Sequence, residues 1–356
     1  MRTRIFNPFV LILILSLVSS AFTSATQGPA STLSSTPWEI VEDVAAQGQA
    51  HNVQFVGQVG GPAYAVAAQG SYAYIGVGPR MVILDLSNPA LPAVVGQSEV
   101  LPEVVRGVAP AGNLAYVADG AGLRILDVSD PAAPTEIGFY DTPGWAKGIA
   151  VAGKYAYVAD DWKGLRILDV SDPANPIEAS FHATPGYASG VALAGDYAYI
   201  ADDWAGLRVL DISNPLAPNE VGFYDTPGDA YGVALAGNYA FVADSDSGLR
   251  VIDISDPLAP TEIGFLDTPG QALAVALAGK YAYVADNYSG LRVIDISDPA
   301  APIEIGFYDD MPGFLHSVAV AGDYAYTAAE EGGLLILRII LYRVYQPLVL
   351  RNLQLP

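Results

Sequence analysis

The sequence predicts an all-β protein: a seven-bladed β-propeller of four-stranded blades, closed by an N-terminal strand that completes the last blade. Three observations predict it. A Tyr-Ala-Tyr-Val-like tetrapeptide begins at Tyr72, Leu114, Tyr155, Tyr197, Tyr239, Tyr281 and Tyr324, at spacings of 42, 41, 42, 42, 42 and 43 residues. Each period carries four short apolar runs separated by Gly, Pro, Asn and Asp turns, which is the pattern of a propeller blade. Seven copies of every run exist only if a stretch near the N-terminus is counted with the last period.

The elements follow in chain order. Arg2 and Arg4 precede an apolar run from Phe9 to Val18, and Thr23-Ser24-Ala25 is a small-residue cleavage site, so residues 1–25 read as a signal peptide. Residues 26–48, Ser/Thr-rich at their start, read as a linker. The propeller is assigned to residues 49–340. Its first strand, Val53 to Val59, resembles the fourth run of the repeat rather than the first (compare Ile137-Gly-Phe-Tyr), and its last, Gly333 to Ile339, resembles the third. Pairing these two would remove an open sheet edge.

In the third copy the strands are expected at Gly148 to Ala152, Tyr155 to Ala159, Leu165 to Val170 and Ile177 to Phe181. Ala-Gly-Lys, Asp160 to Gly164, Ser-Asp-Pro and Thr184-Pro185-Gly186 supply the turns. Strands this continuously apolar suit sheets covered on both faces. Residues 341–356 form a basic and apolar tail, read as an extra strand on the outside of the ring or as a docking and surface-retention segment.

Leu165-Arg-Ile-Leu-Asp169, Leu207-Arg-Val-Leu-Asp211 and Leu249-Arg-Val-Ile-Asp253 resemble the core of the LVIVD repeat family. The Tyr-Ala-Tyr-Val-Ala-Asp strand and the Asp-Ile-Ser-Asp-Pro turn match as well, and the resemblance covers about residues 53–340. It implies a propeller on an exported or cell-surface bacterial or archaeal protein, and it implies no defined activity.

Composition narrows the partners. The chain has 16 Lys and Arg against 38 Asp and Glu, a net charge of −22 that becomes about −24 once a leader holding two arginines is removed. Nucleic acid and anionic membranes are therefore disfavoured, whereas cations, basic proteins and glycans stay open. With no cysteine, neither a disulfide framework nor lipidation of a thiol is available. A secreted or cell-surface location is expected, with no transmembrane span and a monomeric state favoured.

Several charged patterns read as architecture. Asp119 accompanies Arg124, as Asp160 does Arg166, Asp202 Arg208, Asp244 Arg250 and Asp286 Arg292; in the first and last copies both members are lost together, to Val77 with Val82 and Ala329 with Leu335. Joint loss points to a cross-strand pair in each blade. Asp244-Ser-Asp-Ser-Gly248 has calcium-loop character without the distal bidentate Glu, and is read as a hairpin turn. His51, His182 and His316 are the only histidines, and no thiol nucleophile, Gly-x-Ser-x-Gly elbow or phosphate loop occurs. No catalytic set, metal site or cofactor is expected.

A binding site in a repeat protein has to break the repeat. The position just before each innermost strand is the most variable: Tyr64, Arg106, Lys147, Ser189, Tyr231, Leu273 and His316. Two residues earlier stand Pro62, Val104, Trp145, Tyr187, Asp229, Gln271 and Phe314, and the second-hairpin tips Trp162, Trp204 and Tyr288 are expected on the same face. Concave mouths with aromatic walls and a few polar groups are where ligands bind. The function expected is a non-catalytic interaction module for a glycan, peptide or protein, at Tyr64, Arg106, Trp145, Lys147, Trp162, Tyr187, Trp204, Tyr231, Phe314 and His316. The alternatives are a polysaccharide lyase or hydrolase using His316 with Tyr231 or Lys147, and a purely architectural surface protein.

Overall fold

The structure, a computed structural model, describes residues 50–89 and 91–340. The leader (1–25), the linker (26–48) and the tail (341–356) inferred from sequence lie outside the described residues.

Seven antiparallel sheets follow one another along the chain, and each of blades 1 to 6 is built from four consecutive strands. In blade 3 they are Gly148–Ala152, Tyr155–Ala159, Leu165–Asp169 and Ile177–His182. The third strand is one residue shorter and the fourth one residue longer than expected. Each strand pairs only with its neighbours in sequence, so nearly every pairing inside a blade is a hairpin.

Adjacent blades share a hydrophobic layer. Tyr116, Leu123 and Ile125 of blade 2 meet Ala156, Val158 and Leu168 of blade 3, while Tyr157, Leu165 and Ile167 on the other face of blade 3 meet Ala198, Ile200 and Leu210 of blade 4. Large side chains on one blade thus meet a mixture of alanines and branched aliphatics on the next. This explains the unbroken apolar runs: both faces of each middle strand are covered.

Blade 7 is composite, as the strand count requires. Its first three strands are Leu315–Ala321, Tyr324–Ala329 and Gly333–Ile339, and its outermost strand is Val53–Val59. Val53 stands opposite Ile339 and Val59 opposite Leu334, and Gln58 donates its side-chain amide to the Gly332 carbonyl.

The seam has a second component that the sequence reading lacked. Ala50–His51 adds a fifth strand to blade 6, with Ala50 opposite Tyr308 and His51 opposite Phe307. The reason lies in how neighbouring blades touch. In blades 1, 2, 4 and 5 a glycine in the fourth strand (Gly96, Gly138, Gly222, Gly264) faces the proline carbonyl of the next blade's third turn (Pro131, Pro173, Pro257, Pro299), where a β-carbon would collide. In blade 3, Ser180 takes that place and donates its hydroxyl to Pro215. Blade 7 takes its fourth strand from the other end of the chain, so no turn joins its third strand to its fourth. The vacant position against Gly306 is filled by the carbonyl of His51, and the Asn52 side chain donates to Ile305 beside it.

The paired charges are found inside the second hairpins, with one exception. Arg Nε lies 3.0 Å from Asp119 in blade 2, 3.3 Å from Asp160 in blade 3, 3.7 Å from Asp244 in blade 5 and 3.4 Å from Asp286 in blade 6. In blade 4 Arg208 instead reaches Glu220 at 3.7 Å and Asp225 at 3.0 Å, so the expectation of a direct Asp–Arg contact in every such blade is corrected there. Each of these arginines also lies over a phenylalanine of its fourth strand, 4.6 to 5.3 Å from the ring centroid.

The aspartates do more than meet arginine. Asp160 accepts hydrogen bonds from the Thr142 hydroxyl and the Gly144 amide, which belong to the loop arriving from blade 2. The same clamp joins Thr184 and Gly186 to Asp202, Thr226 and Gly228 to Asp244, and Thr268 and Gly270 to Asp286. Asp244 is therefore engaged by the fold.

Candidate functional site

The innermost strands converge so closely that they need small residues. A β-carbon on Gly148 would stand 2.6 Å from the Ser189 carbonyl of the next blade, and one on Gly190 2.8 Å from that of Tyr231. Close approach of the backbones brings the seven variable positions round a single opening. Tyr64, Arg106, Lys147, Ser189, Tyr231, Leu273 and His316 all line one cavity of about 490 Å³, with a ring of Val66, Val108, Ile149, Val191, Val233, Val275 and Val318 also in its wall.

Variation at these positions does not come from loose backbone. The amide of Arg106 donates to Ala118 at 2.8 Å, that of Lys147 to Ala159 at 2.9 Å, that of Ser189 to Ala201 at 2.8 Å and that of Tyr231 to Ala243 at 2.9 Å. With Leu273, whose amide donates to Ala285 at 2.8 Å, five of the seven variable residues extend a hairpin ladder by one bond, while Tyr64 and His316 sit within their strands at register shifts. The side chains differ on a backbone that is paired in every blade.

The second-hairpin tips are tied to the same face. Asp161 and Ala188 exchange both backbone hydrogen bonds at 3.0 Å, and Asp203 with Ala230, and Ser245 with Ala272, do likewise. Asp161, Asp203, Ser245 and Asn287 all hold φ near +50°, a left-handed conformation that non-glycine residues rarely adopt. These bridges lock the tip of one blade to the loop entering the next, so tip and mouth residues share one rigid rim.

On that rim the aromatic residues predicted from sequence are exposed: Trp145, Trp162, Tyr187, Trp204, Tyr288 and Phe314. Three groups can be distinguished. Between blades 2 and 3, Trp145 and Trp162 have ring centroids 5.9 Å apart at 57°, and the Arg106 guanidinium lies 5.8 Å from the Trp145 ring. Lys147 Nζ stands 3.3 Å from Asp161 and 3.5 Å from the Ser189 hydroxyl.

Between blades 4 and 5, Trp204 and the pair Asp229 and Asp246 border a smaller recess. Burial, followed by the neighbouring Asp203, Asp229 and Asp246, holds the Tyr231 phenol above its ordinary pKa.

The third group lies at the seam. His316 Nε2 is 3.6 Å from Glu330, the Tyr64 hydroxyl donates to Glu330 at 3.4 Å, and the Tyr64 and His316 rings are 5.3 Å apart. Burial lowers the His316 pKa against the opposing pull of Glu330, and burial with Glu330 raises that of Tyr64. The near neighbours of His316 are Tyr64 and Glu330, since blade 1 follows blade 7 around the ring, while Tyr231 and Lys147, considered with it from sequence, line the same cavity. Glu330 escaped the sequence reading because it sits in the short 3-10 turn Glu330–Gly332 of the divergent last copy. No set of three potential metal ligands is assembled among the described residues.

The fold is widely shared. The chain is similar to the crystal structure of the RRP9 WD40 repeats, with 11% identity and a TM-score of 0.67 over 82% of this chain and 100% of that one. It is similar to the Myceliophteria thermophila Cps50 (Swd1) β-propeller domain, with 12% identity and a TM-score of 0.66 over 86% and 100%. The computationally designed Ika8 protein matches with 10% identity and a TM-score of 0.61 over 80% and 100%. At these identities the likeness concerns the fold alone. None of the curated proteins matches. The LVIVD repeat model, in contrast, matches residues 60–99, 104–142, 143–184, 185–226, 227–268, 269–310 and 312–339, one segment for each blade, and the chain therefore belongs to the LVIVD repeat family.

Proposed function

We propose that this chain is a secreted or surface-displayed, non-catalytic interaction module that binds a glycan, peptide or protein segment at the variable mouth of the propeller. One observation carries the reading. The seven most variable positions of the repeat, scattered from Tyr64 to His316, surround one cavity on a hydrogen-bonded frame, beside exposed indoles. Such a shared frame with differing side chains is what a recognition surface requires. Export is supported by the leader-like segment at residues 1–25.

The test is a screen of the protein from residue 26 onward against glycan and cell-wall fragment arrays, beside a Trp145→Ala/Lys147→Ala double variant. Hits lost in the variant support binding at this face. Hits retained in the variant remove the face, and silence on arrays of glycans and of peptides removes the reading itself.

The Tyr64–His316–Glu330 group favours a second reading, an enzyme acting on a saccharide, with a neutral imidazole as base and a phenol as proton donor. Exchange of His316 for Ala separates the two: an enzyme loses turnover, a binding module only affinity.

A further inference from the structure

Arg106 differs from the other arginines of the ring. Arg124, Arg166, Arg208, Arg250 and Arg292 are buried among carboxylates on the outer part of the blades. Arg106 is exposed at the mouth, and among the described residues its one close partner is the Trp145 ring. The chain carries 38 acidic side chains against 16 basic ones, so a guanidinium without a carboxylate partner stands out in this charge balance. Lys147, from the adjacent blade, lines the same cavity. Its ammonium has one contact to Asp161 and another to Ser189, leaving a donor for a ligand.

The Arg106 guanidinium lies against Trp145, and Lys147 lines the same mouth. Trp145 and Trp162 present apolar faces at an angle, a surface that matches the C–H face of a pyranose ring, while the half-buried Ser189 hydroxyl beside Lys147 is open to a sugar hydroxyl. The guanidinium fork is suited to a carboxylate. A polyanion would meet repulsion along the rest of this acidic surface, whereas a single carboxylate is screened from distant charges beyond roughly 8 Å at physiological salt.

We infer that the corner of the mouth formed by Arg106, Trp145, Lys147 and Trp162 binds a saccharide carrying one carboxylate, a uronic acid residue within an otherwise neutral glycan. Trp145 and Trp162 stack on the sugar, Arg106 pairs with its carboxylate, and Lys147 supplies the second positive charge. The inference rests on the binding reading above and narrows it to one ligand chemistry.

Titration calorimetry tests it, using a neutral oligosaccharide with one glucuronic acid residue and its carboxyl-reduced counterpart. The acid form is expected to bind at least tenfold more tightly. Arg106→Gln removes that preference while leaving the weak binding of the reduced form, and Arg106→Lys, which keeps the charge but loses the fork, restores part of it. Trp145→Ala weakens both forms. Arg106 is exposed, and the melting curve of the variant serves as a check that the ring is intact.

Equal affinity for the two sugars, or a preference that survives Arg106→Gln, overturns the carboxylate assignment; if Trp145→Ala still abolishes binding, the binding reading stands without it. Failure of both sugars to bind, while the arrays give other hits at this face, overturns the inference alone.

Discussion

A β-carbon on Gly138 would overlap the carbonyl oxygen of Pro173, the first residue past the Asp of the next blade's turn. The same approach recurs between Gly222 and Pro257 and between Gly264 and Pro299. Neighbouring blades are therefore held at a spacing set by backbone against backbone, outside the hydrophobic layers.

That spacing predicts a ranked pair of variants. Gly222→Ala forces the Pro257 turn outward and is expected to cost about 1–3 kcal/mol, the usual range for overpacking. Gly222→Ser is expected to cost less, since Ser180 in blade 3 already occupies the equivalent position and donates to Pro215. Urea denaturation of both variants checks the order. Equal losses would show that the hydroxyl gains nothing from the carbonyl.

The threonine clamps give a second prediction. Thr226 donates to Asp244, a buried carboxylate that also receives the Gly228 amide. Thr226→Val keeps the shape and removes the donor, and is expected to destabilise by about 1–3 kcal/mol, the penalty for a buried acceptor left under-satisfied. Combining it with Asp244→Asn tests the coupling. If the two losses simply add, the contact carries no energy of its own.

Stability should peak on the acid side of neutrality. Burial pushes Asp202 from 3.8 up to about 6, against the hydrogen bonds of Thr184 and Gly186 and the charge of Arg208. A carboxyl with a raised folded pKa favours folding when protonated. Its contribution is full below about pH 4 and disappears as the pH rises through about 6, a change on the order of 3 kcal/mol. Asp169 and Asp295 work the opposite way. Hydrogen bonds from Ser171 and Lys154, and from Lys280 and Ser297, hold them at about 2, so their contribution is lost as the pH falls from about 4 towards 2. Melting temperatures measured from pH 3 to 8 should rise on acidification from 7 to 5 and fall again below 4. Asp202→Asn should flatten the limb between 4 and 6, and an unchanged limb would remove Asp202 as its cause.

Closure by the Val53–Val59 strand gives a fourth prediction. Deleting residues 49–60 exposes the edge of Gly333–Ile339 and removes the cover of Gly306. A loss of more than about 4 kcal/mol is expected, beyond what single substitutions usually produce. A peptide of residues 49–60 added in excess should recover part of the melting temperature. Identical melting with and without the segment would refute the composite blade.

What the sequence made legible, and what it did not, follows from where information repeats. The strands, their order and the composite blade were readable because Tyr72, Tyr155 and their equivalents mark a fixed frame, and because an unmatched fourth-type strand at Val53 has one place to go. The seven mouth positions could be aligned for the same reason. Contacts between blades were harder to see. Thr142 precedes Asp160 by the same interval as Thr184 precedes Asp202 and Thr226 precedes Asp244, a signal present in the repeat but hidden behind the ordinary turn preference of Thr-Pro-Gly. Ala50–His51 was unreadable because it replaces a turn that is missing, and a substitute need not resemble what it replaces. The Tyr64–His316–Glu330 group joins the first and last copies, where the repeat is least regular.

The seam also dictates a birth order. Val53 leaves the ribosome long before Ile339, the residue opposite it, and every blade between them can fold from its own hairpins as it emerges. The early strand must wait through all of that time with its partner unmade, and the growing chain is an open spiral until the final copy arrives. Completion of the circle is thus a single late event, and a ribosome that stops short of Gly333 leaves behind a protein with nearly all of its sequence and no ring.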